Sequence, residues 1–119
     1  MDVQLKRGVI EACVLKLLTR GDSYGYLLAR EVDQVIPLSE STLYPVLKRL
    51  ESAGQVDSYR QEHGGRLRKY YRITPKGRAQ LEEEREQWQA VDATLRGIWR
   101  ALAAPGTAGG TVISPAPLR

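Results

Sequence analysis

Apolar and polar residues alternate at helical spacing through the first third of the chain. The pattern predicts a helix over residues 4–19. Residues 9–18 are apolar on nearly all sides, so more than one face of this helix should be covered. A second helix is expected to begin at Asp22 or Ser23, either of which can cap it, and to run to about residue 35.

A third helix follows directly, with Ser39 as a suitable N-terminal cap and Gly54 just beyond its end. Pro45 leaves the exact start of this helix open. If Ser39 is the cap, Pro45 lies in the second turn and costs a backbone hydrogen bond. If the cap is Ser41 or Thr42, Pro45 falls in the first turn and costs little. The predicted buried stripe is Leu43, Val46, Leu47 and Leu50.

Two short strands, about 55–61 and 67–73, come next, and the Gly64-Gly65 pair between them predicts a β-hairpin. Neighbouring residues on a strand point to opposite faces. We therefore expect Tyr71 to lie inside and Tyr70 to face outward, where its hydroxyl can reach a phosphate.

Thr74 and Pro75 open a last helix that should run to about Ala103. Its apolar residues repeat at alternating steps of four and three, as in a coiled coil. A helix of about 30 residues cannot bury such a seam on so small a domain. The simplest partner is a second copy of the chain. The seam residues are Trp88, Val91, Leu95, Ile98 and Leu102.

The sequence thus predicts three parts. Residues 1–75 form a domain of three helices and a hairpin, and residues 76–103 form a C-terminal dimerisation helix. The Pro- and Gly-rich stretch 104–119 is expected to be a disordered tail. With 119 residues, it is long enough for one small globular domain. The fold class expected is mainly α with a small two-stranded β-hairpin.

Positive charge is concentrated in one part of the chain. The net charge is +4, and residues 48–72 alone carry seven Lys or Arg against three Asp or Glu. Four cations and no acid fall within residues 66–72. Such a run indicates either a contact with a polyanion or a solvated strand face.

Composition excludes several classes of protein. Cys13 and His63 stand alone, which rules out an internal disulfide and leaves no zinc site, and no cofactor is expected. No apolar window is long enough to cross a membrane, so the expected compartment is the cytoplasm. No nucleophile with a base, phosphate loop or paired carboxylates is evident, which argues against an enzyme.

Three helices, a hairpin with a basic tip and a long helix form the order of a winged helix-turn-helix, whose third helix enters the major groove of DNA. The hydroxyls of Ser41, Thr42 and Tyr44 cluster near the start of that helix, and Lys48 follows. Arg66, Arg68 and Lys69 of the wing would neutralise phosphates, and the glycines would let the wing approach the backbone.

Several motifs together resemble the PadR family of bacterial transcriptional regulators. They are Ser-Tyr-Gly-Tyr at 23–26, Leu-Ser-Glu-Ser-Thr-Leu-Tyr-Pro at 38–45, Leu-Lys-Arg-Leu-Glu at 47–51, and Arg-Lys-Tyr-Tyr-Arg-Ile-Thr-Pro-Lys-Gly at 68–77. The similarity spans residues 5–100, with the single long C-terminal helix of the short members.

The resemblance implies a homodimeric repressor on double-stranded operator DNA. Matching positions that would contact DNA are Tyr24, Ser41, Thr42, Tyr44, Lys48, Gly65, Arg66, Arg68 and Lys69. The first and last helices would dimerise, through Leu5, Val9, Trp88, Leu95, Ile98 and Leu102. In some small members an aromatic residue of the last helix stacks on a flat apolar effector, and Trp88, with Val91, holds the similar place.

Two alternatives stay open at this point. Trp88 either packs in the dimer seam or lines an effector cavity there. The chain could also be a winged-helix protein-interaction module that does not bind DNA. The basic wing argues against the latter, because a protein partner would not require four cations in seven residues.

Overall fold

The computed structural model describes residues 1–103, and the predicted disordered tail lies outside the described residues. The helices and strands, in chain order, are α1 (Val3–Leu18), β1 (Ser23–Tyr24), α2 (Gly25–Asp33), α3 (Glu40–Ser52), β2 (Val56–His63), β3 (Arg66–Ile73) and α4 (Pro75–Ala101). Contacts divide the chain into two compact units, Met1–Arg85 and the part from Glu86 onward, within which α4 continues. The predicted division after residue 75 stays a prediction.

The start of α2 differs from the sequence prediction. Tyr24, rather than Asp22 or Ser23, precedes the first helical residue, and its side chain makes no capping hydrogen bond. The reason is that Ser23 and Tyr24 are extended and pair with Tyr71 and Tyr70 of β3. The extended segment delays the first helical residue to Gly25, and the buried hydroxyl of Ser23 makes no hydrogen bond within residues 1–103.

The start of α3 settles the position of Pro45. Ser39 is the N-cap residue, so Pro45 lies in the second turn, inside the helix. The Ser39 hydroxyl does not bond a backbone N–H; it contacts the hydroxyls of Ser41 and Thr42 at 3.0 and 3.1 Å. Gly54 follows the helix with a φ of +77°, as expected for a residue that ends it.

The sheet has three antiparallel strands in the order β1-β3-β2, one more than the predicted hairpin. Two residues of extended chain before α2 carry too little alternation to reveal β1 in the sequence. The hairpin itself is confirmed: β2 pairs with β3 from Val56 with Ile73 to His63 with Arg66. Gly64 and Gly65 close it with φ values of +61° and +81°, which fit a type I′ turn.

An apolar core lies between α1, α2, α3 and the inner face of the sheet. Tyr71 points into it with 5% of its surface exposed, which confirms the predicted alternation, and Cys13 packs against it while partly exposed. The predicted stripe of α3 is fully included. The core residues are Ile10, Val14, Leu15, Leu18, Leu28, Ala29, Val32, Ile36, Leu43, Val46, Leu47, Leu50, Val56, Tyr71 and Ile73.

Thr74 caps α4 as predicted. Its hydroxyl accepts a hydrogen bond from the Gly77 N–H at 3.0 Å and donates one to the Gly54 carbonyl at 2.7 Å. Leu81 packs against the core, whereas the later apolar residues of the helix remain exposed in the single chain. Across residues 1–103, no helix combines the length and the apolar character needed to cross a membrane.

Candidate nucleic-acid interface

Tyr44 connects α3 to the start of α2. Its ring lies so close to Gly25 that a Cβ built on this glycine would be 2.7 Å from the Tyr44 Cε1. Burial and the adjacent Glu40 carboxylate, which accepts a hydrogen bond from the hydroxyl at 3.4 Å, raise the Tyr44 pKa above its ordinary value. The hydroxyl is therefore protonated at neutral pH and able to donate.

Beside this contact lies a pocket of about 210 Å³ that joins α2, α3 and the wing. We call it the tyrosine pocket. Its wall brings together four of the residues predicted to bind DNA, from three separate parts of the sequence. The lining residues are Tyr24, Gly25, Tyr26, Tyr44, Arg68, Lys69 and Tyr71.

The outward face of the sheet carries a row of aromatic and cationic side chains. The guanidinium of Arg68 lies 4.6 Å from the Tyr24 ring centroid, which in turn meets Tyr70 edge to face at 5.5 Å. Tyr70 stacks on Tyr59 at 5.7 Å. The contact with the Tyr24 ring orients the Arg68 side chain, and the contacts with Tyr24 and Tyr59 position the Tyr70 ring.

Some cations of the basic segment are neutralised by carboxylates. The guanidinium of Arg49 on α3 binds the carboxylate of Glu11 on α1, which is buried. Lys69 lies 3.6 Å from Glu51, a contact that is half exposed and therefore weak. Arg49 is thus committed to holding α3 against α1, although the sequence places it among the cations of the third helix.

A second network secures the base of the wing. Asp22 accepts a hydrogen bond from the Tyr59 hydroxyl at 2.7 Å and lies 3.6 Å from the guanidinium of Arg72. The hydrogen bond to Asp22 raises the Tyr59 pKa above its ordinary value, with Arg72 opposing the shift.

The remaining cations of the segment have no salt-bridge partner among residues 1–103. They are Lys48, Arg60, Arg66 and Arg68. Lys48 is exposed one turn after Tyr44 on α3, and Arg66 is exposed beside Gly65 at the hairpin turn. The surface formed by α3 and the wing therefore keeps a net positive charge.

The hydroxyl residues at the start of α3 face two ways. Ser41 is exposed and lies on the same side of the helix as Lys48, two turns away. Thr42 lies on the side that faces α1, where it borders a groove of about 460 Å³. We call this the α1–α3 groove, and its lining residues are Met1, Val3, Lys6, Arg7, Ile10, Thr42, Pro45 and Val46.

The residues predicted for dimerisation and effector binding lie elsewhere. On α1, Leu5 is 41% exposed, whereas Val9 packs partly against the core of its own chain. On α4 the seam residues are all between 41% and 59% exposed: Trp88, Val91, Leu95, Ile98 and Leu102. Trp88 lines neither the tyrosine pocket nor the α1–α3 groove.

Sequence reasoning missed the roles of Glu11, Asp22, Lys6 and Arg7. Glu11 interrupts an apolar helix that is covered on several faces, and that position alone could have indicated a paired buried acid. Nothing in the sequence pattern indicated that Lys6 and Arg7 lie beside α3, because that contact depends on how the helices pack.

Comparison with known proteins identifies the family. Residues 14–83 match the profile of the transcriptional regulator PadR-like family. The chain belongs to the PadR family of transcriptional regulators. The winged-helix arrangement, the helical content and the long last helix agree with this assignment.

Individual relatives match most of the chain. The transcriptional regulator Rv3488 of Mycobacterium tuberculosis is 31% identical over 87% of this chain and 98% of its own length. A PadR family transcriptional regulator from Eggerthella lenta is 37% identical, with a TM-score of 0.70 over 81% of this chain and 86% of that one. A PadR family transcription regulator from Clostridium difficile is 32% identical, with a TM-score of 0.71 over 75% of this chain and 96% of that one.

Proposed function

We propose that the protein is a homodimeric repressor that binds double-stranded operator DNA, with α3 in the major groove and the wing on the flanking backbone. The observation that carries the proposal is the tyrosine pocket. It gathers Tyr24, Tyr44, Arg68 and Lys69 beside the exposed side of α3. Hydroxyls and cations converging on one surface suit a duplex with its two phosphate backbones.

Each proposed contact has a physical role. Ser41, Thr42, Tyr44 and Lys48 would reach base edges or phosphates from α3. Arg66 and Arg68 would neutralise phosphates, and each such contact makes binding more sensitive to salt. Tyr24 and Tyr70 would add hydroxyl contacts, and Gly65 would let the wing tip approach the backbone closely. The cytoplasm is the proposed compartment, and no enzymatic reaction is proposed.

The dimer is proposed to form through the seam of α4 together with Leu5 and Val9 of α1. The support is the heptad spacing of five apolar residues that are 41–59% exposed in the single chain. Dimerisation would place two α3 helices on successive half-sites of the operator, one helical turn or a multiple apart.

The first experiment is a mobility shift with the DNA immediately upstream of the coding region. We expect binding that weakens as salt rises, with a shallower salt dependence for R66A/R68A than for the wild type. The charge-matched control is K16A/R20A, which removes two exposed cations, one near the end of α1 and one just beyond it, that line neither the tyrosine pocket nor the α1–α3 groove. If R66A/R68A binds DNA as the wild type does, the wing contacts are wrong.

An effector is proposed to bind between the two copies, against Trp88 and Val91. The competing role of Trp88 is to pack the seam. Trp88→Ala should weaken the dimer by a few kcal/mol if the ring is packed there. The effector site would be favoured by two results for the Trp88→Ala variant. Its dimer would be unchanged in the ultracentrifuge, and flat apolar compounds would no longer quench its tryptophan fluorescence.

A further inference from the structure

α3 lies between two cation-bearing depressions. Thr42 and Tyr44, two residues apart, point to opposite sides of the helix, because successive residues turn by about 100°. On the Tyr44 side lies the tyrosine pocket with Arg68 and Lys69. On the Thr42 side lies the α1–α3 groove with Lys6 and Arg7.

The position of one cation-bearing depression on each side of α3 matches the geometry of a DNA major groove. A helix inserted there has one sugar-phosphate backbone on each side, about 12 Å apart. The wing and the start of α2 serve one backbone in the proposed complex. We propose that Lys6 and Arg7 at the start of α1 bind phosphates of the opposite backbone. This inference rests on the proposed DNA binding.

The local charges favour a phosphate. Neither Lys6 nor Arg7 has a salt-bridge partner within residues 1–103. The acid nearest to Lys6 in sequence, Asp2, caps the start of α1, where its carboxylate accepts hydrogen bonds from the N–H groups of Gln4 and Leu5 at 3.0 and 3.1 Å. The two cations are therefore free to contact a polyanion.

The packing of α1 holds these cations beside α3. Glu11, one turn beyond Arg7, is buried and binds the guanidinium of Arg49. Ile10 is buried in the core and also borders the groove. Because α1 is anchored at these points, the two cations approach DNA without ordering a flexible arm, which would cost conformational entropy.

The test compares the salt dependence of binding to a random-sequence duplex of about three helical turns. Each lost phosphate contact should reduce the slope of log K against log salt by about 0.9, so K6A/R7A should lose about 1.8 per protomer. K16A/R20A removes the same charge from residues that line neither the α1–α3 groove nor the tyrosine pocket, and it should change the slope much less. R66A/R68A serves as the reference for the wing.

Each outcome bears on a specific claim. If the wild type binds, R66A/R68A has a smaller slope and K6A/R7A keeps the wild-type slope, the contact of α1 with DNA is wrong while the proposed function stands. If the wild type binds neither this duplex nor its upstream DNA, the proposed function fails and the inference falls with it.

Two further measurements separate a lost DNA contact from misfolding and from altered self-association. K6Q/R7Q removes both charges but keeps part of each aliphatic stem. Its helical circular dichroism and melting temperature should match those of the wild type, so that a smaller slope for this variant is not due to misfolding. Ultracentrifugation checks the oligomer. If K6Q/R7Q weakens self-association without changing the slope, the groove binds a second copy of the chain and the proposal is overturned.

Discussion

Tyr44 lies directly over Gly25, and no side chain fits between them: a Cβ on Gly25 would come within 2.6 Å of the Tyr44 hydroxyl oxygen. The glycine is therefore needed for close approach and not for a special backbone conformation, since its φ is not positive. This contact sets where the tyrosine sits on the surface proposed to meet DNA.

Gly25→Ala should displace Tyr44 with little loss of stability. Tyr44 is 45% exposed and can move aside, and alanine is favoured over glycine in a helix by up to about 1 kcal/mol. We expect the free energy of unfolding, measured in urea, to change by less than about 1 kcal/mol, whereas the affinity for DNA should fall. In a Tyr44→Ala background the same substitution should have no further effect on binding. Additive losses would show that Gly25 acts independently of the tyrosine.

The pair of Glu11 and Arg49 should respond unequally to the loss of each partner. Arg49→Ala leaves a buried carboxylate without its partner and should cost about 3 kcal/mol of unfolding free energy. The double variant E11A/R49A should cost less than R49A, because the buried charge is removed as well. Lys48 is an exposed neighbour, and Lys48→Ala should change the free energy of unfolding by less than about 0.5 kcal/mol. Chemical denaturation measures all three, and equal losses for K48A and R49A would contradict the prediction.

The hairpin turn should tolerate asparagine and reject β-branched residues. Gly64 has a φ of +61°, a conformation that asparagine adopts in type I′ turns and that costs other residues about 1–2 kcal/mol. Gly64→Asn should therefore leave stability and DNA binding nearly unchanged, whereas Gly64→Val should lower both. Denaturation and mobility shifts measure the two effects. Equal behaviour of the two variants would mean that the turn rearranges freely.

The seam of α4 should control the oligomeric state. Leu95→Asp places a charge in the middle of the heptad seam and should give a monomer in sedimentation experiments, because a charge buried between two helices is not solvated. Ala93→Asp adds the same charge on the other side of the helix and should leave the dimer intact. A dimer that survives L95D would locate the interface elsewhere.

Tyr59 should ionise at higher pH than an ordinary tyrosine. Its hydrogen bond to Asp22 raises the pKa in the folded state, so the neutral form is favoured there. The contribution of this contact is fully present below the ordinary tyrosine pKa of about 10 and is lost as pH rises through the folded-state value. Phenolate absorbance of the wild type minus that of Y59F isolates this group. Asp22→Asn should lower its midpoint, and a midpoint at or below the ordinary value in the wild type would contradict the assignment.

The elements of the fold were mostly predictable because each depends on neighbours in sequence. The stripe of α3, the alternation of Tyr70 and Tyr71, the Gly64-Gly65 turn and the Thr74 cap follow from local spacing and turn chemistry. The motifs that resemble the PadR family also lie in short contiguous stretches, so the resemblance is visible in the sequence without the fold. The strand β1 was missed because two residues owe their extended state to pairing with β3, about 47 residues later in the chain.

The sequence by itself determined the helices, the hairpin, the concentration of positive charge and the family. Only the tertiary structure decided which of those charges are neutralised and which are free to bind. Arg49 looks equivalent to Lys48 in the sequence, yet the packing of α1 against α3 gives it a buried carboxylate as a partner. The same packing brings Lys6 to Thr42, because helices that are distant in sequence become neighbours only when their apolar faces share one core.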